Sequence, residues 1–406
     1  MEDTEMKRMI LLRGGNMVTG GSCFTGDIVL KDGLIDHIGY GVEASPDMEV
    51  LDVTGKYVSA GFIDLHTHGA GGADFMDGSI EAYGKALYMH AVHGTTMLYP
   101  TTLSGSRQSL ADAVGFYRSA WKSCTGGAAM GGLHLEGPYF SPVQAGAQDR
   151  RYLRNPDPAE YGPLMELADG DIARWSLAPE LPGALEMAET LKRQGVLMAM
   201  GHTDATFDEC DAAFRAGFTH ITHFYSCMST VSRRNAFRYA GAVEYGYYND
   251  DVTVEVIGDG IHVPESLLRL IFKIKGADRI ALVTDSMRAA GMPDGRYVLG
   301  SLSGGQEVIV EDGVAKLPDR TAFAGSVATM DRAVRTVARL TGRPIAEIVR
   351  CATEIPAGIM GISDRKGSLR RGYDADIVVF DENVDVLYTI VGGQIVYDKS
   401  KSTRSC

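Results

Sequence analysis

The chain has 406 residues, 45% of them hydrophobic and 22% charged, with a net charge of −13. This composition excludes a disordered chain, and no run approaches the ~20 apolar residues that span a bilayer. An acidic balance without a basic tract speaks against nucleic acid and anionic membrane as partners.

The N-terminus, MEDTEMKRMILL, is acidic before it is basic and its apolar run stops at Arg13, which is not a signal-peptide layout. Cys23, Cys124, Cys210, Cys227, Cys351 and Cys406 are scattered without a CxxC pair, as reduced thiols are. Both features point to a cytoplasmic protein. The length suits one large domain plus a smaller one.

Residues 1–59 read as short strands with glycine turns: MILLRGGNMV, then DIVLKDGLIDHIG, where Asp32-Gly33 between apolar runs predicts a hairpin. Over 60–362 the rhythm changes to apolar strands followed by helical segments, such as RIALVTD and VATMDRAVRTVARL. Alternation over that length predicts a parallel (β/α)8 TIM-like barrel of α/β class. QEVIVEDGVAKL, Gln306 to Leu317, interrupts it and reads as a hairpin insertion. Residues 363–406 return to short strands, so the two ends are expected to meet in one small β-sandwich domain.

FIDLHTHGAGGADF raises the functional question, because an apolar run ends there in His66-Thr-His68. Side chains at i and i+2 of a strand share a face. Alone, the pair fits a polar loop as well as a metal site. The other apolar runs sharpen the reading: HLEGP carries Glu136, VLMAMGH ends at His202, FTHITH at His223, VTVEVIGDGIH leads to Asp259 and His262, and RIALVTD ends at Asp285. In a barrel the C-terminal ends of the strands converge on one mouth. Four histidines and a carboxylate are ligands that Zn²⁺ or Fe²⁺ takes, and Asp285 supplies the base that a metal-activated water needs.

Along nearly its whole length the chain resembles the amidohydrolase superfamily and, within it, the N-acetylglucosamine-6-phosphate deacetylases. The motifs are SAGFIDLHTHGAGGADF, GTTMLYPT, GLHLEGPYFSP, GHTDAT, THFYSCM, VIGDGIHV, LVTDSMRAAGMPDG, AGSVATMDRAV and GSLRRGYDADIVVFD. The resemblance implies that Glu136, His202 and His223 bind the main divalent metal ion, zinc or iron, and that Asp285 is general base and acid. It makes His66 and His68 ligands of a second ion that some members bind, so one or two ions per subunit are expected, with Glu136 and Asp285 touching both in the two-ion case. It makes His262 a substrate contact, and Arg234 an arginine that reaches the phosphate of the neighbouring subunit in a homodimer. The implied reaction is hydrolysis of the N-acetyl group of a small-molecule amino-sugar 6-phosphate to acetate and the free amine.

Two motifs depart from the family pattern. Gln148 stands where a histidine near the substrate is usual, which shifts recognition to its amide or to Arg150 or Arg151; Ser226-Cys227 stand where Asn-Ala is usual. Both positions are expected to contact substrate, and they leave N-acetylgalactosamine 6-phosphate as the rival substrate. A D-aminoacylase or cyclic amidase would share the metal residues without a phosphate site, and a non-catalytic sugar-phosphate binding protein would not need Asp285. The remaining histidines are read as structural: His37 on the surface, His90 and His93 in packing or capping, His134 beneath the metal, and His220 on the strand face opposite His223.

Overall fold

Asp32 and Gly33 take φ angles of 52° and 78°, as a two-residue hairpin requires, and join strand Ser22–Lys31 to Leu34–Gly39. The computed structural model describes residues 9–402; the segment MEDTEMKR and Cys406 lie outside the described residues. Strand Met9–Thr19 pairs in parallel with Met48–Asp52 through its first half and with Tyr57–Ala60 through its second. A register shift against Ser22–Lys31, between Leu12 and Gly15, falls where the partner changes. The C-terminal strands Ile377–Phe380, Val386–Val391 and Gln394–Asp398 extend the same eight-stranded sheet beyond Tyr57–Ala60. Its inward residues, among them Ile10, Leu12, Ile28, Leu30, Val58, Ile377 and Val379, form a core of their own. The expected meeting of the two chain ends is therefore present, built from one continuous sheet.

The eight barrel strands are β1 (Phe62–Thr67), β2 (Thr95–Thr102), β3 (Leu133–Glu136), β4 (Ile172–Leu177), β5 (Leu197–Met200), β6 (Phe218–Ile221), β7 (Thr253–Ile257) and β8 (Ile280–Val283). Each pairs in parallel with the next. Closure from β8 back to β1 runs through the Asp285 N–H donating to His66 O (2.8 Å) and the His68 N–H donating to Ser286 O (2.8 Å). Helices between and after the strands cover the outer face, so the strands are buried on both sides. Strand β2 pairs first with Ala129–Met130 and then with β3, and Gly131 between them has no room for a side chain: a Cβ there would lie 2.4 Å from the Tyr99 ring.

The interruption expected as a hairpin over Gln306–Leu317 is larger, a three-stranded antiparallel sheet of Gly295–Leu299, Gln306–Glu311 and Val314–Lys316. A hairpin alone would leave Val308 and Val310 half covered; Leu299 from the added strand, with Met287 and Ala324, encloses them. A second, exposed hairpin, Ser232–Arg234 with Phe237–Tyr239, turns through left-handed Asn235 and Ala236.

Trp175 of β4 is fully buried, donates its indole N–H to Gly137 O (2.8 Å) and stacks on Tyr139 at 5.7 Å. It thereby packs under the loop that begins at Glu136. Trp175→Ala is expected to destabilise the chain by about 3–5 kcal/mol, read as a shift of the urea midpoint. A shift equivalent to less than about 1 kcal/mol would disprove this packing role.

Candidate metal centre and active site

The polar residues at the strand ends lie together at the C-terminal mouth of the barrel. His202, His223 and Asp285 follow β5, β6 and β8 with φ of 46°, 26° and 47°, all in the left-handed region that non-glycine residues avoid. Tyr225 and Cys227, in the loop after β6, share it. Such conformations cost about 1–3 kcal/mol each and collect where function needs a side chain turned into a site.

His223 Nε2 lies 3.0 Å and His202 Nε2 3.3 Å from Glu136 Oε1, and the two nitrogens are 3.2 Å apart. His66 Nε2 is 3.5 Å from both Glu136 Oε1 and Asp285 Oδ1; His68 Nε2 is 3.4 Å from Glu136 Oε2 and 3.3 Å from Asp285 Oδ1. Two three-donor groups result, His66/His68/Glu136 and Glu136/His202/His223, sharing Glu136. All five side chains are buried.

These residues fit a divalent cation on three observations. Donors of a tetrahedral ion with bonds of about 2.0–2.1 Å lie roughly 3.3–3.4 Å apart, which the 3.0–3.5 Å separations bracket. His68 gives its Nδ1–H to Thr101 O (3.2 Å), His202 to Gln144 O (2.9 Å) and His66 to Glu255 Oε2 (3.1 Å), which turns each Nε2 lone pair towards the cluster. His66 Nε2 is buried with no hydrogen-bond partner.

The electrostatics agree. Burial lowers the histidine pKa values, yet Asp285 and Glu136 outweigh it and push His66 up to about 9 and His68 up to about 10. Burial raises Glu136, but His66, His202 and His223 hold it well below the usual carboxylate range. Asp285 is likewise lowered by His66 and His68 against its burial. The cluster calls for positive charge, which cations or protons supply.

A cavity of about 240 Å³ opens over this cluster, and Gln148, Ser226, Cys227 and His262 line it with Leu103 and Phe323. His262 Nδ1–H donates to Asp259 Oδ2 (2.7 Å), and Asp259 Oδ1 accepts the N–H groups of Ile261 (2.8 Å) and His262 (2.9 Å), so Asp259 aims the imidazole. Gln148 donates from Nε2 to Glu136 Oε2 (2.7 Å) and accepts the Ser104 N–H (2.8 Å), so its amide is occupied in holding Glu136. Arg150 and Arg151 do not line the cavity: Arg150 donates to Pro142 O (2.7 Å) and Arg151 pairs with Asp149. Arg234 also lies outside it, on the exposed hairpin, with its guanidinium 5.7 Å from the Tyr239 ring centroid. A larger cavity, about 350 Å³, lies across the shared wall of Leu103, Ala147, Gln148 and Leu299 but contains none of the metal-type residues.

His134 is buried with its ring centroid 4.6 Å from that of His66, edge to face, and Nε2 2.7 Å from Ser176 Oγ, as support under the cluster. His90 is buried and neutral, its pKa lowered to about 3 by burial and by His93, with Nε2 2.9 Å from Thr67 Oγ1. His220 corrects the expectation that it lies on the strand face opposite His223: it turns into the barrel, and Nε2 bonds Glu255 Oε1 (3.2 Å). The expectation failed because His223 lies beyond the end of β6, where strand alternation no longer applies.

Three residues escaped the sequence reading. Glu255 of β7 bonds His66 and His220, Arg174 of β4 pairs with Glu255, and Asp64 of β1 accepts the Thr284 hydroxyl (2.6 Å). The available signal was a charged residue inside an otherwise apolar strand, as in DIARWSL, VTVEVI and GFIDL.

The barrel and its metal-type cluster match known proteins. The model of the Amidohydrolase family matches residues 57–396. An N-acetylglucosamine-6-phosphate deacetylase of Lysinibacillus sphaericus is 34% identical over 376 residues, covering 91% of this chain and 92% of the relative. An N-acetylgalactosamine-6-phosphate deacetylase of Escherichia coli O157:H7 is 33% identical over 366 residues, covering 90% and 93%. Among solved structures, a mutant N-acetyl-D-glucosamine-6-phosphate deacetylase from Mycobacterium smegmatis, in complex with N-acetyl-D-glucosamine-6-phosphate, superposes with a TM-score of 0.87 at 31% identity over 96% of this chain and 99% of the other.

The chain therefore belongs to the amidohydrolase family, as a metal-dependent hydrolase of amide bonds. Within that family it groups with the N-acetylglucosamine-6-phosphate deacetylases.

Proposed function

We propose that the chain hydrolyses the acetamide of N-acetylglucosamine 6-phosphate to glucosamine 6-phosphate and acetate. The observation that carries this reading is the cluster itself: Glu136, His202 and His223 with their donor atoms 3.0–3.3 Å apart, and Asp285 beside them, under a cavity that His262 lines. In this reading Glu136, His202 and His223 hold the main ion, zinc or iron, and His66 and His68 hold a second. When bound, a divalent cation polarises the acyl carbonyl and makes water nucleophilic at neutral pH.

The residues supply the rest. Asp285, ionised and backed by His66 and His68, takes the proton from the attacking water and passes it to the departing amine nitrogen. His262, held by Asp259, hydrogen-bonds the substrate. The phosphate lies against Ser226 and Cys227 and meets Arg234 of a second copy in a homodimer, where a planar guanidinium suits it. The proposal includes a division into 1–59 with 363–406 as the small domain and 60–362 as the catalytic barrel, and a place in the cytoplasm. No helix among the described residues is long and apolar enough to cross a membrane.

The test is acetate release from N-acetylglucosamine 6-phosphate, its galactosamine epimer and unphosphorylated N-acetylglucosamine. Losing one charge-assisted contact costs about 1.5–3 kcal/mol, so kcat/KM for the unphosphorylated sugar is expected to be lower by about 10–100-fold or more. The first substrate should be fastest. Faster release from the epimer would reassign the sugar, and no release from any of the three would sink the proposal.

A further inference from the structure

Glu255 lies in β7, fully buried beneath the metal-type cluster, and no step of the proposed reaction uses it. A lone buried carboxylate is strongly unfavourable, so its partners reveal its role. Oε1 faces the Arg174 guanidinium and accepts the Nε2–H of His220 (3.2 Å). Oε2 accepts the Nδ1–H of His66 (3.1 Å) and the backbone N–H of His223 (3.2 Å). Those two residues belong to different three-donor groups, whose common member is Glu136. One carboxylate thus ties the two halves of the cluster together from below, as Glu136 does from within.

The acceptor chosen for His66 is also distinctive. His68 and His202 give their Nδ1–H to backbone carbonyls, whereas His66 gives its own to a carboxylate. An ionised acceptor locks the tautomer and makes the opposite nitrogen a stronger donor than a carbonyl does. That nitrogen is the buried, unpartnered Nε2 of His66. Arg174 pairs with Glu255 and donates to Leu65 O (2.8 Å) on the strand that carries His66, so the order Arg174, Glu255, His66 is continuous.

We infer that Glu255 is the positioning residue for a second metal ion held by His66, His68 and Glu136, and that through the His223 N–H it fixes that ion's place relative to the first. The inference rests on the metal-dependent reading above and commits the chain to two ions. Glu255 acts on the second ion through a tautomer and on the first only through a backbone contact. Its loss therefore separates the two affinities.

The experiment counts zinc ions per chain by elemental analysis and measures each affinity by competition with a chromophoric chelator, without turnover. Wild type is expected to hold two ions. Glu255→Gln, folded by circular dichroism, is expected to keep one at wild-type affinity and to bind the other about 10–100-fold more weakly. Two ions of unchanged affinity in Glu255→Gln, or a single ion in wild type, overturn the inference. Where Glu255→Gln does not fold, the zinc-loaded wild type decides by ¹⁵N-histidine NMR. A far-downfield N–H on Nδ1 of His66, lost in His66→Asn, supports the inference, and a His66 protonated on Nε2 overturns it. The separated affinities without acetate release would sink the substrate reading alone, while wild type that binds no ion sinks both.

Discussion

Asp285→Asn is expected to leave a folded, metal-loaded protein whose kcat is about 10²–10⁴-fold below wild type, the span that loss of a positioned general base produces. The substitution is isosteric. The backbone bonds of residue 285, its N–H to His66 O (2.8 Å) and its carbonyl from the Ser326 N–H (2.7 Å), do not depend on the side chain, so barrel closure persists. What disappears is the ionised oxygen 3.5 Å from His66 Nε2 and 3.3 Å from His68 Nε2. An amide oxygen there still accepts a hydrogen bond but cannot carry a proton from the water to the amine. Parallel kcat, KM and metal analysis separate the explanations. A near-normal KM and metal content with collapsed kcat identify a proton carrier, whereas loss of metal in proportion to activity would make Asp285 chiefly a ligand. Activity within tenfold of wild type would remove it from the chemistry.

The reach of the sequence follows from where each residue lies on its strand. His66, His68, Glu136, His202, His223 and Asp285 were legible because each closes or directly follows an apolar run, and a parallel barrel brings those ends together whatever the loops between them do. Glu255, Arg174 and Asp64 sit within strands, and their partners lie elsewhere: Glu255 on β7 meets Arg174 on β4, and Asp64 on β1 meets Thr284 after β8. Neither pairing leaves a trace in local spacing. Gln148 was legible as a departure from the family, but its capture by Glu136 depends on a loop path that residue types do not specify. The third strand of the inserted sheet, Gly295–Leu299, was hidden for a related reason, since GRYVL alone is too short and too polar to declare a partner.

Stripping the metal with a chelator is expected to reduce acetate release to background and to lower the melting temperature by about 5–8 °C, with both restored on reconstitution. A site saturated at about 100–1,000 times its dissociation constant contributes about 2.7–4.1 kcal/mol to the folded state, and a barrel of this size shifts by roughly 2 °C for each. The loss stops short of unfolding because protons replace the ions in part. Glu136, Asp285 and Glu255 are buried carboxylates, and without a cation His66 and His68, pushed up to about 9 and 10, stay protonated at neutral pH and shield the first two. Arg174 shields the third. Protons supply charge but no Lewis acidity, so the stripped chain keeps the barrel and loses the reaction. Reconstitution with zinc in air and with ferrous iron under argon, each against the same acetate assay, then identifies the working metal. A chain that contains less than about 0.1 ion and still releases acetate at the wild-type rate would overturn the metal-dependent mechanism.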